Sequence, residues 1–324
     1  MKNIASINHL INLKDDKLKL VDVYKNTPPL EQTIKSGKFW PWVKEVEELL
    51  SSSEDIPMSR IQQIVHSNID SSITSLTSLV KTELKNYNSH PLYMARIYPN
   101  INDFAIGATL YLGKHVEVGI TTLDEELVKA RKYKFKDKQT GFFIDASTTI
   151  LACVNGSVQI GCWTSDETLS ENNIPKKFKG TYEESTLQKG ELFTIRGTEQ
   201  GITFTSSDKQ AAMIIIKIIK NKPPAALQFD SKSLSLIAVV SSDQASSRFQ
   251  VASVALRALN NGGDIEILKP YLQHSNAFIR WHSAREIYLR DSAHGKTVFK
   301  ELLNDRNPMV RDSALRCLNE LYGD

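Results

Sequence analysis

The sequence has few cysteines. Cys153, Cys162 and Cys317 are an odd, sparse set in 324 residues, which argues against a disulfide scaffold and a thiolate zinc cluster. Cys153 and Cys162 flank a predicted turn and could meet across it; the preferred reading is two buried free thiols. Histidine is scarce too, with none between His115 and His274. Charge of one sign is missing: 40 basic residues stand against 37 acidic ones, a net charge of +3. No overall field therefore directs the chain to nucleic acid or an anionic membrane. Long apolar runs are also absent. Residues 211–216 and Ile218-Ile219 are separated by Lys217, too short a stretch to span a bilayer; it reads as a buried strand. Residues 1–22 lack the apolar core and small-residue cleavage site of a secretory signal. A cytoplasmic location is expected. No P-loop, dinucleotide-binding glycine fingerprint, Gly-x-Ser-x-Gly elbow or His-Glu-x-x-His motif occurs.

What is present is an ordinary soluble composition, 41% hydrophobic and 24% charged, in a chain long enough for two or three domains. Residues 1–90 read as an N-terminal helical segment. Ile4, Ile7, Leu10 and Ile11 recur at helical spacing, as do Val43, Val46, Leu49 and Leu50 after Trp40-Pro41. Ile61, Ile64, Val65 and Ile69 begin a further stripe. Trp40 and Trp42 are read as anchors of these helices on the body, in preference to a binding platform.

From residue 91 to 222 the period shortens to two. Residues 105–112 and 116–120 flank a Gly113-Lys114 turn, and residues 148–154 and 157–160 flank Asn155-Gly156, the dipeptide of a tight hairpin. Residues 164–186 form a polar excursion, and 187–195, 202–204 and 211–219 complete the strands. The basic–aromatic alternation of residues 131–136 reads as a lysine-protected edge in preference to a nucleic-acid stripe. The expectation is an antiparallel sandwich or barrel.

Two features within residues 141–204 carry a resemblance. Strand–Asn155-Gly156–strand, and the run Leu187-x-x-Gly190-Glu191-Leu192-Phe193-Thr194-Ile195-Arg196-Gly197-Thr198-x-Gln200-Gly201, resemble the two motif blocks of the cupin superfamily. The resemblance implies an antiparallel β jelly roll. It also implies where metal ligands belong: a glutamate at Thr149, a histidine pair at Phe142 and Ile144 or at Phe143 and Asp145, and a last histidine at Gly201 or Gln200. Asp145 is the one plausible donor, so no metal or other cofactor is expected. His115 and Glu117, two apart on a strand, share a face but do not make a metal site. Ligand-binding candidates are Tyr111, His115, Glu117, Arg196 and Gln200. With Cys153 these are also the polar groups a metal-free cupin enzyme would use.

Residues 223–230, opening with Pro223-Pro224, read as a linker, and residues 231–324 read as helical. Units at 247–259, 278–289 and 309–321 recur every 31 residues; Ala252, Ser283 and Ala314 coincide, as do Leu256, Ile287 and Leu318. The last unit, with Leu302-Leu303, Asp305, Pro308 and Val310-Arg311, resembles HEAT repeats. That resemblance implies stacked helical hairpins and a protein segment as partner. Arg280, Trp281, His282 and Arg311 are partner-binding candidates, although Arg280 and Arg311 also suit bonds inside the repeat to loop carbonyls or acids.

The fold class expected is mixed α and β: a cupin-like antiparallel jelly roll between an N-terminal helical segment and a C-terminal HEAT-like array. The function expected is that of a non-enzymatic accessory or regulatory protein binding a partner protein or small molecule. The alternative is a metal-independent isomerase, epimerase or lyase. Neither nucleic acid nor a membrane is an expected partner.

Overall fold

The computed structural model describes residues 21, 25, 30–52, 56–89, 93–94, 96–101, 105–126, 128, 141–145, 147–169, 174–219, 225–241, 244–259 and 265–323. The stripe of residues 4–11 and the run of residues 131–136 lie outside them. Helices α1 (Leu30–Ser36), α2 (Trp40–Ser52) and α3 (Met58–Ser89) precede the sheets. The helical spacing read in the sequence is what packs them. Trp42, Val43, Val46 and Leu50 of α2 share one core with Ile61, Ile64, Val65 and Ile69 of α3. The indole N–H of Trp42 donates to Ser72 Oγ at 2.8 Å, so this buried ring keeps its polar atom paired.

The same core continues into a sheet. Strands β1 (Tyr98–Ile101), β2 (Ala105–Leu112), β3 (Val116–Leu123), β10 (Ala211–Ile218), β5 (Thr148–Asn155) and β8 (Leu192–Ile195) form sheet A in that order. Strands β12 (Leu236–Ser241), β11 (Ala225–Asp230), β4 (Gly141–Ile144), β9 (Gln200–Ser207), β6 (Ser157–Ser165) and β7 (Gly180–Gln188) form sheet B. Both sheets are antiparallel. Alternation along each strand assigns the faces. Ile150 and Ala152 of β5 and Ile214, Ile216 and Ile218 of β10 face the helices. Leu151, Cys153, Ala211 and Met213 face the other way and meet Val158, Ile160 and Leu187 of sheet B. Cys153 and Cys162 are buried free thiols, and burial pushes both up from their ordinary range.

Three expectations are corrected. Asn155-Gly156 does not close a hairpin. Gly156 takes the expected positive φ of 68°, but β5 pairs with β10 and β8 while β6 pairs with β7 and β9. The turn passes the chain from one sheet to the other. Residues 164–186 are not simply an excursion: β7 runs along β6, and Leu169 and Phe178 pack on the outer face of sheet B. Residues 223–230 are not simply a linker either. β11 and β12 extend sheet B beyond residue 222, and Phe229 is fully buried.

The C-terminal helices are α4 (Gln244–Leu259), α5 (Ala277–Arg290), α6 (Ser292–Leu302) and α7 (Pro308–Tyr322), with 3₁₀ turns at Ile265–Ile267 and Lys269–Gln273. Their period is visible in the bonds. Asn276 caps α5 by accepting from Phe278 N–H, and Asn307, 31 positions on, caps α7 by accepting from Met309 N–H. Ala284, Ile287, Phe299, Ala314 and Leu318 fill the core between them. In the first unit the alignment slips by one: Ala252 is exposed and Ser253 is buried. Among the described residues no helix is long and apolar enough to cross a membrane.

Glu47 of α2 latches the helices to sheet A. Its carboxylate accepts from the backbone N–H groups of His115 (3.2 and 3.1 Å) and Val116 (3.1 Å) and from Tyr111 Oη–H (3.4 Å). A side chain on Gly113 would start 1.8 Å from Glu47 Oε1, so the turn needs glycine there. Glu47→Ala leaves the turn N–H groups without their acceptor. The expected loss is about 1–3 kcal/mol, read as a lower urea midpoint, with Glu47→Gln losing less.

Candidate functional site

The polar end of the space between the sheets is built by one row of sheet A. Glu117, Lys217, Thr149 and Ile195 stand in register across β3, β10, β5 and β8. Lys217 lies on the same face of β10 as Met213, and so points towards sheet B. Its Nζ is 4.0 Å from Asp145 Oδ2, just past the end of β4 in sheet B, and the pair bridges the two sheets. Glu117 accepts from Thr109 Oγ1–H at 3.1 Å. Lys217, paired with Asp145 and in register with Glu117, thus closes this end of the interior. Lys217 and Asp145 are each about one-third exposed (34% and 37%), so a solute can reach them and the pair adds little stability, about 0–1 kcal/mol.

The alternative ligand positions separate by face. Phe142 and Ile144 point outward into a cluster with Trp163, Phe178 and Phe229. Gly201 shares that side; a Cβ there would come within 2.9 Å of the Phe142 ring. Phe143 is in register with Ile202, which packs on the inter-sheet core, so Phe143 and Asp145 point inward. This donor set does not fit a metal. Asp145 is the single donor at the inward positions, and the Lys217 ammonium beside it would repel a cation. Among the described residues no group of three or more His, Cys, Asp or Glu side chains is placed to hold one.

The five ligand-binding candidates fall in three places. Glu117 belongs to the polar row. Arg196 and Gln200 shape the β8–β9 turn: Gln200 Oε1 accepts from Arg196 N–H (2.9 Å), Gln200 Nε2 donates to Thr164 Oγ1 (3.1 Å), and the exposed Arg196 guanidinium pairs with Glu199 (2.8 Å). This turn reaches the polar end, where Thr198 N–H donates to the Asp145 carbonyl at 3.1 Å. Tyr111 lies instead on the helix side. A register shift between Thr109 and Tyr111 turns it to Trp40, which it meets edge-on at 5.4 Å. His115 is held through its backbone by Glu47, and its Nε2 is buried without a hydrogen-bond partner. Lys217 was not among the candidates. Its signal is a lone charge inside an apolar strand, which on a central strand requires an inward partner.

The four partner-binding candidates lie within the helical array. Arg280 is buried. It donates to both oxygens of Asp305 (2.7 and 2.6 Å) and to the carbonyls of His274 (2.8 Å) and Ser275 (2.9 Å). Arg311, 31 positions on, donates to the Asp305 carbonyl at 2.7 Å. Trp281 packs on Phe299, ring centroids 5.7 Å apart. His282 Nε2 is 2.8 Å from Ser253 Oγ and 4.0 Å from Glu286. Glu286 in turn accepts from Arg257 (3.0 Å) and Arg290 (2.8 Å), and Arg290 donates to the Ser253 carbonyl (3.0 Å). This network joins α4 to α5.

It also carries a pH dependence. Burial holds the His282 imidazole below its ordinary value of 6.5, and Arg285 and Arg290 add to that against the opposing pull of Glu286. The unfolded chain therefore takes up this proton at higher pH than the folded one, and stability falls as pH drops below about 6.5. The expected result is a melting temperature that declines between about pH 7 and 5, with this component missing in His282→Gln. The depressed carboxylates Glu83 and Asp305 act at lower pH.

No protein-family model matches the chain, and no curated protein matches it. Among solved structures, it is similar over part of its length to the 7S globulin of Momordica charantia: 9% identity, TM-score 0.26, covering 42% of this chain and 35% of that one. It is similar to the EutQ protein of Clostridium difficile at 15% identity and TM-score 0.21, over 35% of this chain and 68% of that one. A cupin 2 conserved barrel domain protein from Leptotrichia buccalis is similar at 12% identity and TM-score 0.23, over 37% and 42% of the two chains. The chain thus spans about a third of the globulin, and none of these likenesses bears on activity or ligand.

Proposed function

We propose that this protein is a non-enzymatic accessory or regulatory protein that binds a partner protein or small ligand, built on a metal-free cupin-like jelly roll and HEAT-like repeats. The observation that carries this reading is the filled space between the sheets. Leu151, Cys153, Val158, Ile160 and Met213, with Phe193, Ile202 and Phe204 against them, occupy the volume a substrate would need. The bonds repeating every 31 residues in the C-terminal helices support the repeat reading. At the start of that array α4 leaves Val251 (71%) and Leu259 (86%) open to solvent with Val254 beside them, an apolar face that suits a protein partner. The test is affinity capture by the full chain and by Val251→Asp/Val254→Asp. A partner held by the first and lost by the second supports the proposal. No specific capture, together with turnover of a small molecule, overturns it.

A second reading, a metal-independent isomerase, epimerase or lyase, is favoured by one observation: Glu117 and Lys217 of the polar row, with Asp145 opposite, bring two carboxylates and an ammonium to a solvent-reachable end. On that reading Glu117→Gln and Lys217→Met each abolish turnover with the fold intact. Turnover unchanged in both would remove it.

A further inference from the structure

The outer face of sheet B has a cavity of about 500 Å³ that none of the roles above uses. It forms where β7, β6 and β9 lie side by side. Trp163, Phe178 and Tyr182 supply its aromatic wall, and Thr181 and Thr203 bring hydroxyls. Its volume is in the usual range for a small-molecule site, roughly 300–1,000 Å³.

Tyr182 is the unusual member. It is 44% exposed on an edge strand, yet its ring is fixed. A Cβ on Gly161 would lie 2.6 Å from Tyr182 Oη, so the ring rests where any larger residue would put a side chain. It leans on Trp163 at 4.5 Å, and its hydroxyl donates to Glu184 at 2.6 Å. Trp163 is itself stacked on Phe142 at 4.2 Å, nearly parallel, so the wall has a rigid backing. Burial and then the Glu184 carboxylate push the Tyr182 hydroxyl up to about 12, so its proton stays on the bond to Glu184. A rigid, half-exposed aromatic ring binds at little entropic cost.

The wall chemistry selects the ligand class. Among the described residues Lys232 is the one charged side chain in the wall. An aromatic face attracts polarised C–H groups through its negative π surface, while the threonine hydroxyls both donate and accept. A pyranose ring has one C–H face and a rim of hydroxyls, and meets both demands.

We propose that this cavity is a binding site for a neutral sugar ring of a glycan or glycoside, with Tyr182 as the stacking platform and Thr203 as a rim hydrogen-bonding group. The proposal deepens the small-ligand arm of the accessory-protein reading and rests on it. Partner capture through α4 tests that reading separately, so a failure of the reading and a failure of the sugar site can be told apart.

The test is a titration of the full-length protein with maltose, cellobiose, lactose and N,N′-diacetylchitobiose, followed by tryptophan fluorescence and by saturation-transfer NMR. The expected result is saturable binding of at least one disaccharide, weakened about tenfold in Tyr182→Ala and measurably in Thr203→Val, with the melting temperature of both variants close to that of the parent. No saturation by any of the four sugars overturns the proposal, as does equal binding by Tyr182→Ala.

Discussion

Replacing Arg280 with alanine is expected to melt the C-terminal helices at a temperature where both sheets remain folded. Arg280 and Asp305 are each 4% exposed, and their two short bonds form a fork on the carboxylate. Such a pair adds little over a well-packed apolar substitute, because both charges were taken from water. Breaking it from one side is different, since a buried charge is left unpaired. The expected cost is about 3–5 kcal/mol. Two further consequences follow from geometry. The His274 and Ser275 carbonyls lose the donor that ties the loop before α5, and Asp305 loses what keeps it ionised. Burial alone would raise the Asp305 carboxyl, and the Arg280 fork and the Asn307 N–H more than offset it. In the parent this contribution is full above the ordinary value of 3.8 and is lost as pH falls through the depressed one. In Arg280→Ala the carboxyl moves the other way, so the variant's deficit is expected to shrink in mild acid. Arg280→Lys keeps the charge but not the fork and should recover only part of the loss. The double variant Arg280→Ala/Asp305→Ala should lose less than the sum of the single changes. Circular dichroism melts with hydrogen exchange of α5 and α7 check each point.

Arg280 also marks what the sequence makes legible. Its bonds to residues 274 and 275 are local, and Arg311 repeats the first of them 31 positions later. Helical caps and repeat arginines act within a few residues, so a 31-residue period carries them. Strand partnership does not work that way. Asn155-Gly156 sets a positive φ, but its dihedrals say nothing about which strands β5 and β6 will join. Those partners, β10, β8, β9 and β7, come from later in the chain. β11 has the sequence of a linker because two prolines precede it and its residues lack alternation, which is how a strand buried on both faces looks. The polar end was half legible. The spacing of His115 and Glu117 pairs them on one strand, whereas Lys217 joins them through the pairing of β10 with β3 and its position opposite Asp145. Tyr111 was displaced by a bulge that no residue in β2 announces.

Orientation of β4 is the point on which most of the site depends, and Phe142 and Phe143 test it directly. Both residues are apolar, so a period of two cannot say which faces the inter-sheet core. Phe142 is fully buried among Trp163, Phe178 and Phe229, while Phe143 is 46% exposed. Phe142→Ala removes the ring that stacks on Trp163 and leaves a cavity closed by aromatics that cannot collapse into it. The expected cost is about 3–5 kcal/mol. Phe143→Ala is expected to cost less than about 1 kcal/mol. Urea unfolding followed by tryptophan emission reads both, and Phe142→Ala should also change the folded-state spectrum because Trp163 loses its stacking partner. The reverse order of costs would mean that β4 is turned over. Asp145, three residues after Phe142 and two after Phe143, would then leave the space between the sheets, Lys217 would lose its partner, and the polar end would no longer be a site. The same reversal would remove the backing of Trp163 and Tyr182 on the outer face. One pair of substitutions therefore bears on both candidate sites, because the alternation of a single strand sends one residue to each.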